Sequence, residues 1–146
     1  MQRVHKKVFV DANVILDLFE EDRPFHTYSV DVMSELFANE EIELFITSDM
    51  ISNIFYILNS RYKYGFDNTL LVVEKLSDIY TIHSVSGDDI KDAVDICKKR
   101  IFKDYEDALQ YICALREECS LIITNNPKDF KNASIDIKTT KELSKK

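Results

Sequence analysis

The stretch KKVFVDANVILDLF, residues 6–19, places an aspartate directly after three apolar, β-favouring residues and directly before a second apolar run. VFV at 8–10 has no polar alternation, the pattern of a short strand buried on both faces. Asp11 or Asn13 can then cap a helix beginning near Val14. A buried strand running straight into a helix opens a parallel α/β fold, and here it carries a carboxylate at its carboxyl end.

The same grammar repeats downstream. After Pro24, TYSVDVMSELFANE from Thr27 sets Val30, Met33, Leu36 and Phe37 at helical spacing, and ELFIT at 43–47 is a second buried strand. Thr47 or Ser48 offers a hydroxyl cap for a helix through MISNIFYILNSRYK, which Gly65 is expected to end. DNTLLVVEKLSDI reads as a helix, YTIHSV at 80–85 as a strand, and GDDIKDAVDICKKR and DYEDALQYICALREEC as two further helices. SLIIT at 120–124 is another short apolar strand, and SIDIK at 134–138 alternates as an edge strand does. Strands alternating with helices predict a three-layer α/β/α fold around a central parallel sheet of four to five strands. No repeat, linker or composition break divides residues 1–146, so one domain is expected.

Composition limits what that domain does. The chain has 146 residues, 45% of them hydrophobic, with two glycines and two prolines, which excludes a disordered or low-complexity protein. The basic start, Met1 to Lys7, is followed by no apolar signal core, and no run approaches the roughly 18 apolar residues of a membrane span, so a cytoplasmic protein is expected. The net charge of −7 argues against a broad basic nucleic-acid surface. Cys97, Cys113 and Cys119 are odd in number without a C-x-x-C, and read as buried thiols rather than a disulfide framework or zinc site. His5, His26 and His83 stand apart from one another and read as surface or satisfied core residues.

In open parallel sheets, ligands bind beyond the carboxyl ends of the strands. The strands deliver Asp11 and Asn13, then Thr47 and Ser48, then Thr124, Asn125, Asn126 and, a little further, Asp129 to that edge. Asp104 and Asp107, three residues apart, face one side of their helix while Glu106 faces another. Ala108, Ile112, Leu115 and Cys119 form the adjoining apolar stripe, which sets the acidic pair on the border of a buried face. Each acid alone has a plainer role: Asp11 and Asp104 as helix caps, Asp129 as a turn residue. Together they repel, by about 4 kcal/mol for a pair about 4 Å apart at an effective dielectric of 20. With few cations near these positions in sequence, a hard divalent ion, Mg²⁺ or Mn²⁺, is the simplest counter-charge. RYKY at 61–64 interleaves cations with tyrosines, either a stacking platform for unpaired bases or an amphipathic helix end; the latter is favoured.

VFVDANVILDLF, DYEDALQYICA and LIITNNPKDF, in that order, resemble the PIN domain family, the fold of VapC-type toxin ribonucleases. The resemblance implies that Asp11 is the first acidic ligand and Asp107 the third, with Asp104 joining or replacing it, and that Thr124 ends the last catalytic strand. Asn126 falls where many members carry a fourth acid, leaving Asp129 as the nearest carboxylate. Asn53 stands where the family commonly has glutamate, so two expected acids are amides that add no charge.

The implied activity is Mg²⁺- or Mn²⁺-dependent hydrolysis of RNA phosphodiesters, with Asp11 and Asp107 holding the principal ion and Asp104 or Asp129 orienting the water. The implied partners are a cognate antitoxin and a second copy of the chain, for which FYIL at 55–58 would serve as an interface or, equally, as core. The competing class is a PIN-fold binding module that lacks the chemistry and receives a basic partner segment in its acidic crevice, favoured by the net charge and the two amides. A response-regulator receiver ranks last, because no acid pair precedes Asp11 and no clear lysine counterpart follows a late strand.

Overall fold

The computed structural model describes residues 6–146; the sequence reading of His5 and the rest of 1–5 falls outside them. Strand β1 (Lys7–Val10) lies at the centre of a five-stranded parallel sheet, with β2 (Glu43–Thr47) and β3 (Thr81–His83) on one side and β4 (Leu121–Ile123) and β5 (Asp136–Lys138) on the other. Phe9 pairs with Phe45 and with Ile122, so the three apolar strands stack their side chains in register. Phe9, Val10, Ile46, Ile122 and Ile123 are fully buried, each contributing roughly 1.5–3 kcal/mol. The strand SIDIK forms the β5 edge, where polar alternation is tolerated.

Helices α1 (Ala12–Asp17), α2 (His26–Ala38), α3 (Ser48–Tyr56), α4 (Phe66–Ile79), α5 (Gly87–Lys98), α6 (Tyr105–Arg116) and α7 (Thr140–Leu143) complete the α/β architecture. Helix α1 begins at Ala12, two residues before the expected start, because Asp11 takes the N-cap position. Helix α6 is buried from Ala108 to Ala114, so its apolar surface is wider than a stripe, while Leu115 is exposed. In α2, Met33 is buried but Val30 and Phe37 reach the surface, Phe37 packing edge-on against Tyr80.

Gly65 does not end the helix of the second crossover. That helix loosens into a π-helical turn over Ile57–Arg61 and stops at Tyr62; Gly65, with φ of 86°, occupies the N-cap of α4, where a left-handed backbone requires it. The tyrosines of RYKY are committed to the fold. Tyr62 accepts a hydrogen bond from Arg23 Nη1, and Tyr64 donates to the Phe19 carbonyl and packs edge-on against its ring, so they form no stacking platform.

Asn125, expected in the crevice, turns away from it. Its Nδ2 donates to the buried Asp17 carboxylate at 2.7 Å, which also accepts from Ser29 Oγ at 2.9 Å and Arg23 Nε at 2.6 Å. Its Oδ1 accepts from both the Thr140 amide at 3.0 Å and the Thr140 hydroxyl at 2.9 Å. One side chain thus ties the end of β4 to α1, α2 and α7. Asn125→Ala leaves buried groups on Asp17 and Thr140 short of partners and is expected to cost about 2–3 kcal/mol, lowering Tm by roughly 5–10 °C; a thermal melt within 1 °C or so of the parent would refute the network's weight.

Candidate functional site

Parallel pairing of Val10 with Ile123 makes the next residues of β1 and β4, Asp11 and Thr124, neighbours at the carboxyl edge of the sheet. Thr124 Oγ1 donates to Asp11 Oδ2 at 2.8 Å and accepts the Asn126 amide at 3.0 Å. Asp11 occupies the N-cap of α1 without a side-chain cap bond, and its carboxylate accepts from Thr124, with Gln110 and the Ala12 and Asn13 amides also favouring its charged form. Burial pushes its pKa upward although those hydrogen bonds favour the charged form.

Asp107 is half-buried in the first turn of α6 and is driven up to about 7, first by burial and then by the charges of Asp104, Asp11 and Asp129. Asp129 thus acts on Asp107 through its charge and as a neighbour that favours the protonated form. Asp104 has both roles considered from sequence: it caps α6, accepting the Asp107 amide at 3.0 Å, and its charge bears on the cluster. Asp129 lies in a 3-10 turn, Pro127–Phe130, and is exposed. The four acids read from sequence therefore converge on Asp107.

Three other expected residues do not join them. Ser48 Oγ accepts the Val85 amide at 3.1 Å and ties the end of β2 to the segment after β3. Asn53 is exposed on α3, and among the described residues no hydrogen bond links it to the acids. Asn126 reaches the site only through its backbone amide on Thr124. Sequence reading missed Gln110, whose signal was its position one turn after Asp107 on the same helix face. It also underrated the cations: a cleft of about 350 Å³ is lined by Asp104, Asp107 and Asp129 and also by Arg100, Lys103, Lys128 and Lys131.

The donor set at Asp107 is all carboxylate oxygen, and its self-repulsion already costs one acid its charge near neutral pH. That chemistry fits a hard divalent cation. Among the described residues, the ligand-type residues whose donor atoms lie within 4.8 Å of one another are a different set, His83, Asp89 and Cys113. There, however, both ring nitrogens of His83 are engaged, Nε2 with Asp89 at 2.8 Å and Nδ1 with Glu117 at 2.7 Å. Asp89 is further bound by Arg116 and caps α5 through Ser86. Burial pushes the Cys113 thiol up to about 12, and Cys119 likewise. This group is an ion-paired network that balances its own charge. His26 is also satisfied, its Nδ1 lying 2.6 Å from the Asp17 carbonyl.

With the geometry in place, the comparisons with known proteins point one way. The sequence model of the PIN domain matches residues 7–128. A relative named Ribonuclease VapC1, from Aquifex aeolicus (strain VF5), is 36% identical over 139 residues, 94% of this chain and 93% of its own. The fold resembles VapBC-1 from nontypeable Haemophilus influenzae (TM-score 0.69, 14% identity, 92% of this chain and 98% of that one). It also resembles a toxin-antitoxin complex from Klebsiella pneumoniae (TM-score 0.67, 18% identity, 91% and 97%).

Two pH dependences follow from the electrostatics. Asp107 has a folded-state pKa of about 7 against an ordinary 3.8, so the stability it contributes is complete below pH 3.8 and is lost as pH rises through 7. In chelator at pH 8, Asp107→Asn is therefore expected to melt higher than the parent, by about 2–4 °C after allowance for solvent screening, and the gain should shrink by pH 5. A lower Tm at pH 8 would overturn this. For His83, burial disfavours the charge, but the carboxylates of Glu117 and Asp89 hold its pKa above the ordinary 6.5. The stabilisation is present below 6.5 and lost as pH rises through the folded-state value, so denaturant titrations should find His83→Gln more damaging at pH 6 than at pH 9; an equal loss would contradict it.

Proposed function

The chain belongs to the PIN domain family, and from that premise we propose that it is a metal-dependent endoribonuclease, the toxin of a toxin-antitoxin pair. The observation that carries the reading is the convergence of Asp11, Asp104 and Asp129 on Asp107, strong enough to raise the Asp107 carboxyl to about 7. Asp11, Asp107 and Asp104 would hold the cation, Mg²⁺ or Mn²⁺. When bound there, such an ion supplies Lewis acidity and positive charge at the scissile phosphate.

The chain's own residues prepare that chemistry. Thr124 donates to the Asp11 carboxylate and Gln110 favours its charged form, so it is oriented before any ligand arrives. Asp104 spends one oxygen on the α6 amide of Asp107. Asp129, exposed and on a turn, would orient the attacking water and take its proton. Asp107 would hold a cation in its charged form, so it would have to give up the proton that burial and its acidic neighbours favour.

The partners we assign are an RNA substrate, a cognate antitoxin and a second copy of the chain. A basic antitoxin segment suits a chain of net charge −7. Pairing is supported by the exposure of Tyr56, Phe66 and Leu71 on α3 and α4, whereas Leu58 of the FYIL segment belongs to the core. Among the described residues no helix is long and apolar enough to cross a membrane, and we place the activity in the cytoplasm, with its RNA. The amides Asn53 and Asn126 favour the second reading, a PIN-fold module that binds without cleaving.

Purified protein with Mn²⁺ or Mg²⁺ should cleave single-stranded RNA, chelator should stop it, and Asp107→Asn should lower kcat by at least about 100-fold. A thermal shift equivalent to about 2.7 kcal/mol is expected with Mn²⁺ at 100 times its Kd, and should vanish in the variant. Mn²⁺ stabilisation without cleavage would leave the binding module; neither effect would end the metal-nuclease reading.

A further inference from the structure

We propose that Arg100, Lys103, Lys128 and Lys131 form a preformed phosphate track that seats the backbone of single-stranded RNA beside the acid cluster. The proposal deepens the ribonuclease reading and rests on it. These four cations line the same cleft as Asp104, Asp107 and Asp129, and all are exposed. Elsewhere on this acidic chain, several cations are taken up by nearby acids: Arg23 by Asp17, Arg116 by Asp89 and Asp92, Lys99 by Asp95. Others among the described residues, such as Lys75 and Lys91, stand unpaired but line no shared cleft with acids of the cluster. Lys103 and Lys128 are next in sequence to Asp104 and Asp129, yet among the described residues none of the four enters an ion pair or donates a side-chain hydrogen bond.

The cleft is also held rigid from behind. Two separate segments supply its cations, one between α5 and α6 and one around the 3-10 turn, and Asn132 Nδ2 joins them by donating to the Ile101 carbonyl at 2.8 Å. Phe102 of the first segment stacks on Tyr111 of α6 at 4.9 Å and meets Phe130 of the second edge-on at 5.9 Å. The positive wall therefore exists before substrate binds, and less ordering cost is left for the complex. An anionic polymer with one charge per unit satisfies both halves of the cleft: its phosphates meet the four cations while one of them reaches the carboxylates and their ion. This local placement reconciles RNA binding with a net charge of −7.

The test measures binding of a labelled single-stranded RNA by fluorescence anisotropy, on an Asp107→Asn background with Mg²⁺, across a salt series. Four phosphate contacts predict a slope of log K against log salt near −2.8 and about a 50-fold loss of affinity between 50 and 200 mM salt. Lys103→Gln, Lys128→Gln and Lys131→Gln should each reduce the slope by about 0.7, as should Arg100→Asn, chosen because the φ of 60° at Arg100 suits asparagine. Lys75→Gln, on α4 outside the cleft, should leave the slope unchanged. In the otherwise unaltered enzyme the same four substitutions should raise KM more than they lower kcat. If the combined variant keeps the parental slope, the track is refuted while cleavage by the parent still supports a ribonuclease. If the parent neither binds nor cleaves RNA, both fall; binding with the expected slopes but no cleavage keeps the track and refutes the enzyme.

Discussion

The parallel ladder of β1 is the constraint on which the site depends. Because β1 is bonded to β2 on one side and β4 on the other, with all strands running the same way, their carboxyl ends fall on one edge. Val10 pairs with Ile123, so the next residues, Asp11 and Thr124, meet without either chain leaving its ladder; the Asp11 amide still donates to the Ile123 carbonyl at 2.9 Å. A one-residue slip of β4 would break that pairing and reverse its buried faces. The apolar residues that fix the register thus also place the first carboxylate.

Against that rigid edge, the acid cluster is a local conflict. Burial and three neighbouring charges all act on Asp107, and no cationic side chain is bonded to it among the described residues. Compare Asp89, equally tied to a helix terminus but pulled well below the usual carboxylate range by Ser86, His83 and Arg116 against the opposing effect of burial. One acid is made comfortable and the other is not, within the same chain. Structural ion-pair networks lower carboxylate pKa values, whereas sites awaiting a positive ligand raise them, and the two clusters separate on that criterion.

The fold was legible because its signals are local and additive: apolar runs of three to five residues, helical periodicity and caps. The four acids were read from two kinds of signal: Asp11 and Asp129 follow apolar strands, while Asp104 and Asp107 lie one turn apart on the border of a buried helix face. What sequence did not reveal depends on side-chain direction. Asn125 and Asn126 are adjacent in the same polar run, yet the first closes a buried network and only the backbone of the second touches the site. Ser48 follows its strand as Thr124 follows β4, but its hydroxyl is taken by Val85. Gly65 was a plausible helix stop until the π-helical turn ended that helix three residues sooner. The cations at 100, 103, 128 and 131 were visible as letters; only the packing of Phe102 on Tyr111 and Phe130 brings their two segments to one wall.

The depth of Cys113 and Cys119 carries a consequence for the protein under oxidative stress. With both thiols pushed up to about 12 by burial, the reactive thiolate is a rare form of either at neutral pH. Peroxide and glutathione disulfide act on thiolates, so both sulfurs are chemically silent as long as the chain stays folded. Half-buried Cys97 is then where an oxidant would first leave its mark, on α5, whose neighbour α6 carries the acids. A burst of oxidant would spare the two core sulfurs and act on the chain at Cys97.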